Sequence, residues 1–419
     1  MPAKRRSVCF VTGTRAEFGL MRSTLDAIAR NPKLDLQLVV TGMHLDRAHG
    51  RSVDMIRREG WRVDATVPWP SAATAAASAR STGLATAGLA GAFERLESEV
   101  VLVVGDRVEA FAAAAAAHVG GRAVAHVHGG DRALGQVDDS LRHAITKLAH
   151  VHFPATAGSA RRIARLGEDA RRIHAVGAPG IDGIRDAAAA WADVQLSGDS
   201  RARDPRFAAA GTAAGRPRVR EQHADSAEVE SERAKLRPRR YALLVLHPAT
   251  ANEAAEERAA GRVLAATLAA GFEAVVVVAP NNDPGARGIL RRWEAIPPGD
   301  PRVAFHRDLP RPLYLGLLRD AAVLVGNSSS GIIEAASFGT PVLDIGPRQA
   351  GRERGGNVKN VPLDGRAIRD ALAAVWRGGR PVRFRGRNVY GGDGAGERIA
   401  RALAGLSVDD RLLRKLIAY

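Results

Sequence analysis

Two series of short apolar runs constrain this chain more than any other feature. Each run stops at a glycine-rich or polar turn, and a helical pattern follows. In the first series Ser7–Thr12, Leu34–Val40, Val100–Val104, Ala123–Val127 and Val151–Phe153 have strand length, with Ile173–Gly177 completing the set. A weaker strand is predicted around Trp61–Val67. In the second series Tyr241–Leu246, Ala274–Val278, Val303–Phe305, Ala321–Val325 and Val342–Ile345 repeat the pattern. Short apolar runs alternating with helices are the mark of mostly parallel sheets covered on both faces. Helices are predicted from Leu20 to Ile28, Thr82 to Glu97, Ala110 to His118, Asp138 onward, Glu253 to Ala270, Pro312 to Arg319, Ala395 to Leu406 and Asp409 to Ala418.

The pattern is α/β, with two Rossmann-like domains facing across a cleft, the glycosyltransferase-B architecture. The first domain is predicted over residues 1–183 and the second over 239–394. The C-terminal helices, 395–419, are expected to pack back on the first domain. Residues 184–238 hold an alanine run, charges of both signs and few large apolar side chains. Such a segment buries too little surface to offset its ordering entropy, so it reads as a helical beginning followed by a disordered insert or linker.

With 46% hydrophobic and 25% charged residues over 419 positions, a core is available. The single cysteine, Cys9, excludes an internal disulfide framework and fits a reducing cytoplasm. No run approaches the roughly 20 apolar residues of a membrane span, so no membrane is expected as partner. A net charge of +16 raises nucleic acid as a partner. The arginines are spread along the whole chain, aromatics are only 5%, and neither stacking-aromatic nor zinc-finger spacing occurs. A solvated, arginine-rich surface is the reading taken, with nucleic acid as the alternative on charge alone.

Polar residues gather where the predicted strands end, the side on which open α/β sheets bind ligands. The first strand runs into Gly13-Thr14-Arg15, which lacks the G-x-G-x-x-G dinucleotide fingerprint. The second runs into Gly42-Met43-His44, the fourth into Gly105-Asp106-Arg107, and the fifth into His128-Gly129-Gly130-Asp131. Asp138 and Arg142, spaced i,i+4, share a helix face, which an ordinary surface ion pair explains equally well. In the second half His247 and Asn281 follow strands, and Asn327-Ser328-Ser329-Ser330-Gly331 leads from a strand into a helix. A helix N-terminus with three hydroxyls suits a phosphate, and Glu334 one turn on suits sugar hydroxyls. A serine-rich structural N-cap remains the alternative for that octamer.

The motifs Thr12–Leu20, Thr41–Leu45, Gly105–Arg107, Val137–Leu148, Asn327–Glu334 and Arg348–Glu353 resemble the hydrolysing UDP-N-acetylglucosamine 2-epimerases of sialic-acid synthesis. The resemblance spans both halves in the same order. It implies elimination of UDP across C1–C2 of the sugar and hydration of the resulting glycal, giving N-acetylmannosamine and UDP. No metal or redox cofactor is implied. By matching positions it implies proton transfer by Asp106, Asp131 and Asp138, with His128 and His247 in acid–base roles. Arg15, Arg107, Arg142 and Arg348 would bind phosphate or position the sugar, since a planar fork suits oxyanions. Ser328 and Ser329 would hold the pyrophosphate and Glu334 the ribose, with Asn281 and His44 as further contacts. Asp131 stands where many relatives carry glutamate. Relatives acting on UDP-2,4-diacetamido sugars, and non-hydrolysing 2-epimerases, are the alternatives. Family members are commonly dimers or tetramers, so a homo-oligomer is expected.

Overall fold

Strands form where the apolar runs lie because their side chains can be buried on both faces at once. In the computed structural model, residues 5–46, 51–70, 74–132, 138–189, 236–280, 283–297, 299–307, 309, 311–377 and 379–418 are described. Strands β1 (Arg6–Thr12), β2 (Leu34–Val40), β3 (Ala65–Thr66), β4 (Val100–Val104), β5 (Ala123–Val127) and β6 (Val151–Phe153) form one sheet in the order β3-β2-β1-β4-β5-β6. Every neighbouring pair in it is parallel. Strands β7 (Tyr241–Val245), β8 (Ala274–Val278), β9 (Val303–His306), β10 (Val323–Gly326), β11 (Val342–Ile345) and β12 (Val358–Val361) form a second parallel sheet, ordered β12-β11-β10-β7-β8-β9.

Each half therefore winds outward from its first strand, then returns to the centre and winds the other way. The reversal falls between β1 and β4 in one sheet and between β7 and β10 in the other. At such a switch point the connections leave in opposite directions, and a crevice opens at the carboxyl ends of the two central strands.

The period-2 alternation of each strand divides its side chains between two cores. Val8, Phe10, Leu38 and Leu102 face one side with Phe18, Met21, Leu25 and Ile28 of the Arg15–Arg30 helix. Cys9, Val11, Val39, Val101 and Val103 face the other, against Leu89, Phe93, Ala113 and Ala117. Burial pushes the Cys9 thiol up to about 12, which leaves it inert. The second sheet does the same, with Leu244, Val277 and Trp293 on one side and Leu243, Val245, Leu313 and Leu317 on the other.

Several elements differ from the sequence-based expectation. The third strand contracts to two residues, and the helix predicted from Thr82 begins at Ala75. Ile173 makes one isolated bridge to His152 and no strand. The helix predicted over Asp409–Ala418 is confined to Asp410–Leu413, where the Asp409 carboxylate accepts from Leu412 N at 3.0 Å. Strand β12 and the Gly365–Val375 helix carried no clear signal, because Lys359 and Asn360 are exposed and only Val361 of that strand is buried. Residues 184–189 are helical. The rest of the predicted insert, over 190–235, lies outside the described residues.

The chain clusters into two compact units. One runs to Asp182 and takes in Tyr390 onward; the other runs from Gly183 to Val389, leaving aside residues outside the described set. The Ala395–Gly405 helix joins the first core through Ile399, Ala400 and Leu403. Its first N–H groups, at Ala395 and Gly396, donate to the Asp182 carboxylate at 3.0 and 2.8 Å. Beyond it Lys415 is half-buried, with its side chain 8% exposed. Its ammonium donates to Lys147 O at 2.6 Å and Ala149 O at 2.7 Å at the end of the Asp138–Leu148 helix, and pairs with Glu168 at 2.7 Å. A cation at a helix C-terminus is favourable, and here it also neutralises a buried acid. Replacing Lys415 with methionine strands those carbonyls and should cost about 2–3 kcal/mol. Chemical denaturation of the variant against the parent checks this; an unchanged midpoint would show that the contact contributes nothing.

Candidate active site

The first unit gathers charge at the ends of β4 and β5. Arg142, on the first turns of the Asp138–Leu148 helix, is 3% exposed. Its guanidinium forms an ion pair with Asp106 at the end of β4. It also donates to Asp131 O at 2.9 Å and to the Asp139 carboxylate at 3.2 Å. The shared-face spacing of Asp138 and Arg142 thus has an outcome the i,i+4 rule does not show: Arg142 turns inward to Asp106, while Asp138 is exposed at the helix start.

His128, just after β5, has φ of 62°, a left-handed conformation that costs a side-chain-bearing residue on the order of 1–3 kcal/mol. The turn aims the ring inward, where it is 7% exposed. Its Nδ1 lies 3.0 Å from Asp131 Oδ2, and Ser159 Oγ donates to Asp131 Oδ1 at 2.6 Å. His128 Nε2 is buried, and no donor or acceptor among the described residues reaches it. Gly130 is required by packing, since a Cβ there would stand 2.3 Å from Ser159 O. This is a histidine oriented through one nitrogen by a carboxylate, with the other nitrogen unpartnered among the described residues, an arrangement compatible with an acid–base dyad. His126, behind it, is bonded to Gly105 O at 2.8 Å, and burial lowers it to about 3, so it stays neutral.

The turn after β1 carries a capping box. Thr14 caps the Arg15–Arg30 helix, and Glu17 Oε2 accepts from Gly13 N at 2.8 Å and Thr14 N at 3.0 Å. Arg15 itself is exposed at the first helical position. Arg107 donates to both carboxylate oxygens of the buried Glu109, at 3.2 Å each. His44 is fully buried, with Thr12 Oγ1 3.0 Å from Nε2 and Ser52 Oγ 2.8 Å from Nδ1. Burial lowers it to about 4, and both ring nitrogens serve the fold in this structure.

In the second unit the switch point is clamped by one side chain. Asn327, just after β10, accepts from His247 N at 2.7 Å and donates to His247 O at 2.9 Å, joining the ends of β7 and β10. His247 is half-buried there. Asn327 O accepts from Gln349 at 2.9 Å and from Arg348 at 3.3 Å, and Arg348 also reaches Asp283 at 3.2 Å. Ser328 caps a helix of only five residues, Ser329–Ile333, which breaks at Glu334 before Ala335–Phe338. So short a helix has little macrodipole, and the side-chain hydroxyls matter more than the expected dipole. Ser330 Oγ is bonded to Tyr314 OH and lies 2.9 Å from Ser328 Oγ, while Ser329 is half-buried. Glu334 pairs with Arg311 at 2.9 Å. Asn281 lies outside the described residues.

The structure thus brings Asp106, His128, Asp131 and Arg142 together, and separately His247, Ser328 and Arg348 around Asn327. Glu17, Glu109, Ser159, Tyr314 and Arg311 were not singled out from sequence. Only Glu17 had a local signal, the Thr14-x-x-Glu17 capping box. Among the described residues no group of three or more His, Cys, Asp or Glu is arranged to hold a metal ion, and no helix is long and apolar enough to cross a membrane.

Two doubly wound sheets with polar groups at both switch points define a pair of Rossmann-like units of the glycosyltransferase-B type. The fold matches that of a UDP-GlcNAc 2-epimerase from Neisseria meningitidis solved with UDP-GlcNAc, with TM-score 0.73 at 16% identity, over 95% of this chain and 99% of that one. The chain belongs to the UDP-N-acetylglucosamine 2-epimerase family, whose model matches residues 26–404. It is 34% identical to a UDP-N,N'-diacetylbacillosamine 2-epimerase (hydrolyzing) from Legionella pneumophila, over 99% of this chain and 100% of the relative. It is 29% identical to a UDP-N-acetylglucosamine 2-epimerase from Neisseria meningitidis, over 88% of this chain and 86% of the relative.

Burial, with the neighbouring Glu109 charge, pushes Glu17 up to about 7. Between about pH 4.5 and 7 the folded protein then holds a proton that the unfolded chain has lost, so stability falls as pH rises through that window. Glu17→Gln keeps the acceptor for Gly13 and Thr14 and removes the titration. Denaturation midpoints of this variant should fall less than those of the parent between pH 5 and 7.5; parallel curves would show that Glu17 does not titrate there.

Proposed function

We propose that this protein is a hydrolysing UDP-sugar 2-epimerase whose acid–base chemistry resides in the first unit, with UDP held by the second. The observation that carries the reading is the buried His128 Nε2, unpartnered among the described residues and oriented by Asp131. Asp131 has one carboxylate oxygen at His128 and the other at Ser159, so it is suited to orient and stabilise the imidazole rather than to leave it. Asp106 is likewise engaged, by Arg142.

In this reading His128 takes the proton from sugar C2 while the C1–O bond breaks and UDP departs with the bonding pair, leaving a C1=C2 glycal. Water then adds its hydroxyl to C1, and C2 takes a proton on the opposite face, which inverts that carbon. Asp138, exposed at the start of its helix, is the second proton-transfer group. His247 serves the departing phosphate, which Arg348, Ser328 and Ser329 also receive. Arg15, Arg107 and Arg142 position the sugar and its charge, and Glu334 takes the ribose. Oriented acid–base groups of this kind contribute on the order of 10²–10⁴-fold each.

For the sugar, similarity to the Legionella protein over the full length of both chains favours a UDP-2,4-diacetamido sugar of the diacetylbacillosamine kind. That revises the preference for UDP-N-acetylglucosamine drawn from the motifs. UDP-N-acetylglucosamine is the second reading, favoured by the family match and the 29% identical Neisseria relative.

Incubation with each substrate in deuterated water, followed by proton NMR, tests both points. Free 2-epimerised sugar with deuterium at C2, together with UDP, is expected, faster from the diacetamido substrate. A UDP-linked epimer would instead assign non-hydrolysing chemistry, and preference for UDP-N-acetylglucosamine would overturn the sugar. His128→Gln and Asp138→Asn should each lower kcat at least 100-fold while UDP still binds, by calorimetry. Near-parental turnover would remove that residue from the chemistry.

A further inference from the structure

We propose that Glu109 is the positioning residue for Arg107, and that Gly13 and Gly42 are glycine because the Glu109 side chain passes between them. The inference rests on the preceding reading only in taking Arg107 to meet the substrate. Glu109 lies in the first turn of the Val108–Val119 helix and is 3% exposed. Its two oxygens accept from Nε and Nη2 of Arg107, both at 3.2 Å, so one edge of the guanidinium is fixed in a fork-to-fork arrangement. The Arg107 side chain remains 42% exposed, which leaves the rest of the guanidinium available to a ligand.

The path of the carboxylate accounts for a glycine in each of two neighbouring turns. A Cβ on Gly13 would stand 2.8 Å from Glu109 Cγ, 3.0 Å from Cδ and 3.1 Å from Cβ. A Cβ on Gly42 would stand 2.8 Å from Glu109 Oε1 and 3.0 Å from Gly13 O, and φ there is +59°. Gly13 follows β1, Gly42 follows β2 and Glu109 follows β4, and β2, β1 and β4 are neighbours in the sheet. One acidic side chain thus fills the space under three adjacent strand ends and holds an arginine at the rim. Glu17 and Asp138 also face Arg107 electrostatically, but of these carboxylates only Glu109 is hydrogen-bonded to it, and one oxygen of Glu17 is already committed to Gly13 N and Thr14 N. The geometric hold on the guanidinium therefore falls to Glu109. An unheld arginine has many rotamers, and a reacting geometry tolerates little displacement; about 1 Å costs on the order of 100-fold.

The test uses Glu109→Gln, which keeps shape and removes charge. With the full-length protein, kcat/KM for the UDP-sugar should fall about 10–100-fold, while UDP affinity by calorimetry stays within about twofold. The double variant Arg107→Ala/Glu109→Gln should be no slower than Arg107→Ala alone, because Glu109 acts through Arg107. Additive losses would overturn the proposal. Independently of turnover, ¹⁵N-arginine NMR should show an Nε–Hε resonance, identified by its absence in Arg107→Lys, that is protected from exchange in the parent and not in Glu109→Gln. Equal protection in both would also overturn it. If the parent turns over no UDP-sugar, the functional reading fails while this resonance still decides the positioning. Gly13→Ala, which crowds the stem of Glu109 without altering charge, should reproduce the loss of protection; a parental spectrum would sink the assignment of the slot.

Discussion

A buried guanidinium organises the first unit. Removing a cation from water costs several kcal/mol unless its donors find acceptors, and Arg142 finds them on three separate stretches of chain. Asp106 comes from the end of β4, the Asp131 carbonyl from the loop after β5, and Asp139 from its own helix. None of these can shift alone without stranding a charge. The rigidity extends to His128, because the loop that supplies the Asp131 carbonyl to Arg142 also supplies its carboxylate to the imidazole. The left-handed backbone at His128 is tolerated because its surroundings leave it no alternative.

The second unit reaches a similar end by neutral means. Asn327 uses both ends of its amide to join the terminal residues of β7 and β10, and its carbonyl receives Gln349 and Arg348. Hydroxyls and amides dominate, with Arg348 and the Arg311–Glu334 pair at the edges. Under the proposed function, a site receiving a dianionic leaving group gains from few fixed negative charges, whereas proton transfer needs carboxylates with set partners. The division of chemistry we propose rests on which groups each sheet presents at its switch point.

Most strands were legible because a strand buried on both faces must be a continuous apolar run; β12, an edge strand with Lys359 and Asn360 exposed, lacks that constraint. The strand ends were legible for a related reason, since the polar residues there are consecutive with the strands that place them. What escaped notice was side-chain geometry across sequence distance. Ser159 meets Asp131 from a later helix, and Tyr314 meets Ser330 from the preceding one. His44 shows the converse. A histidine at a strand end reads as a ligand group, but its two nitrogens are taken by Thr12 and Ser52, and only the fold reveals the pairing.

The discontinuity of the first unit bears on how the protein comes into being. Ile399, Ala400 and Leu403 complete a core whose other members are encoded before Asp182. During vectorial synthesis the ribosome adds the whole 183–389 stretch in between, which takes roughly ten seconds or more. Throughout that interval the nascent first sheet carries an uncovered apolar groove beside the Arg15–Arg30 helix. The second unit, continuous in sequence, is under no such delay. Maturation of the half that holds His128 therefore waits on the release of a distant segment, and nascent chains are vulnerable to mispairing or chaperone capture at that groove until the Ala395–Gly405 helix arrives.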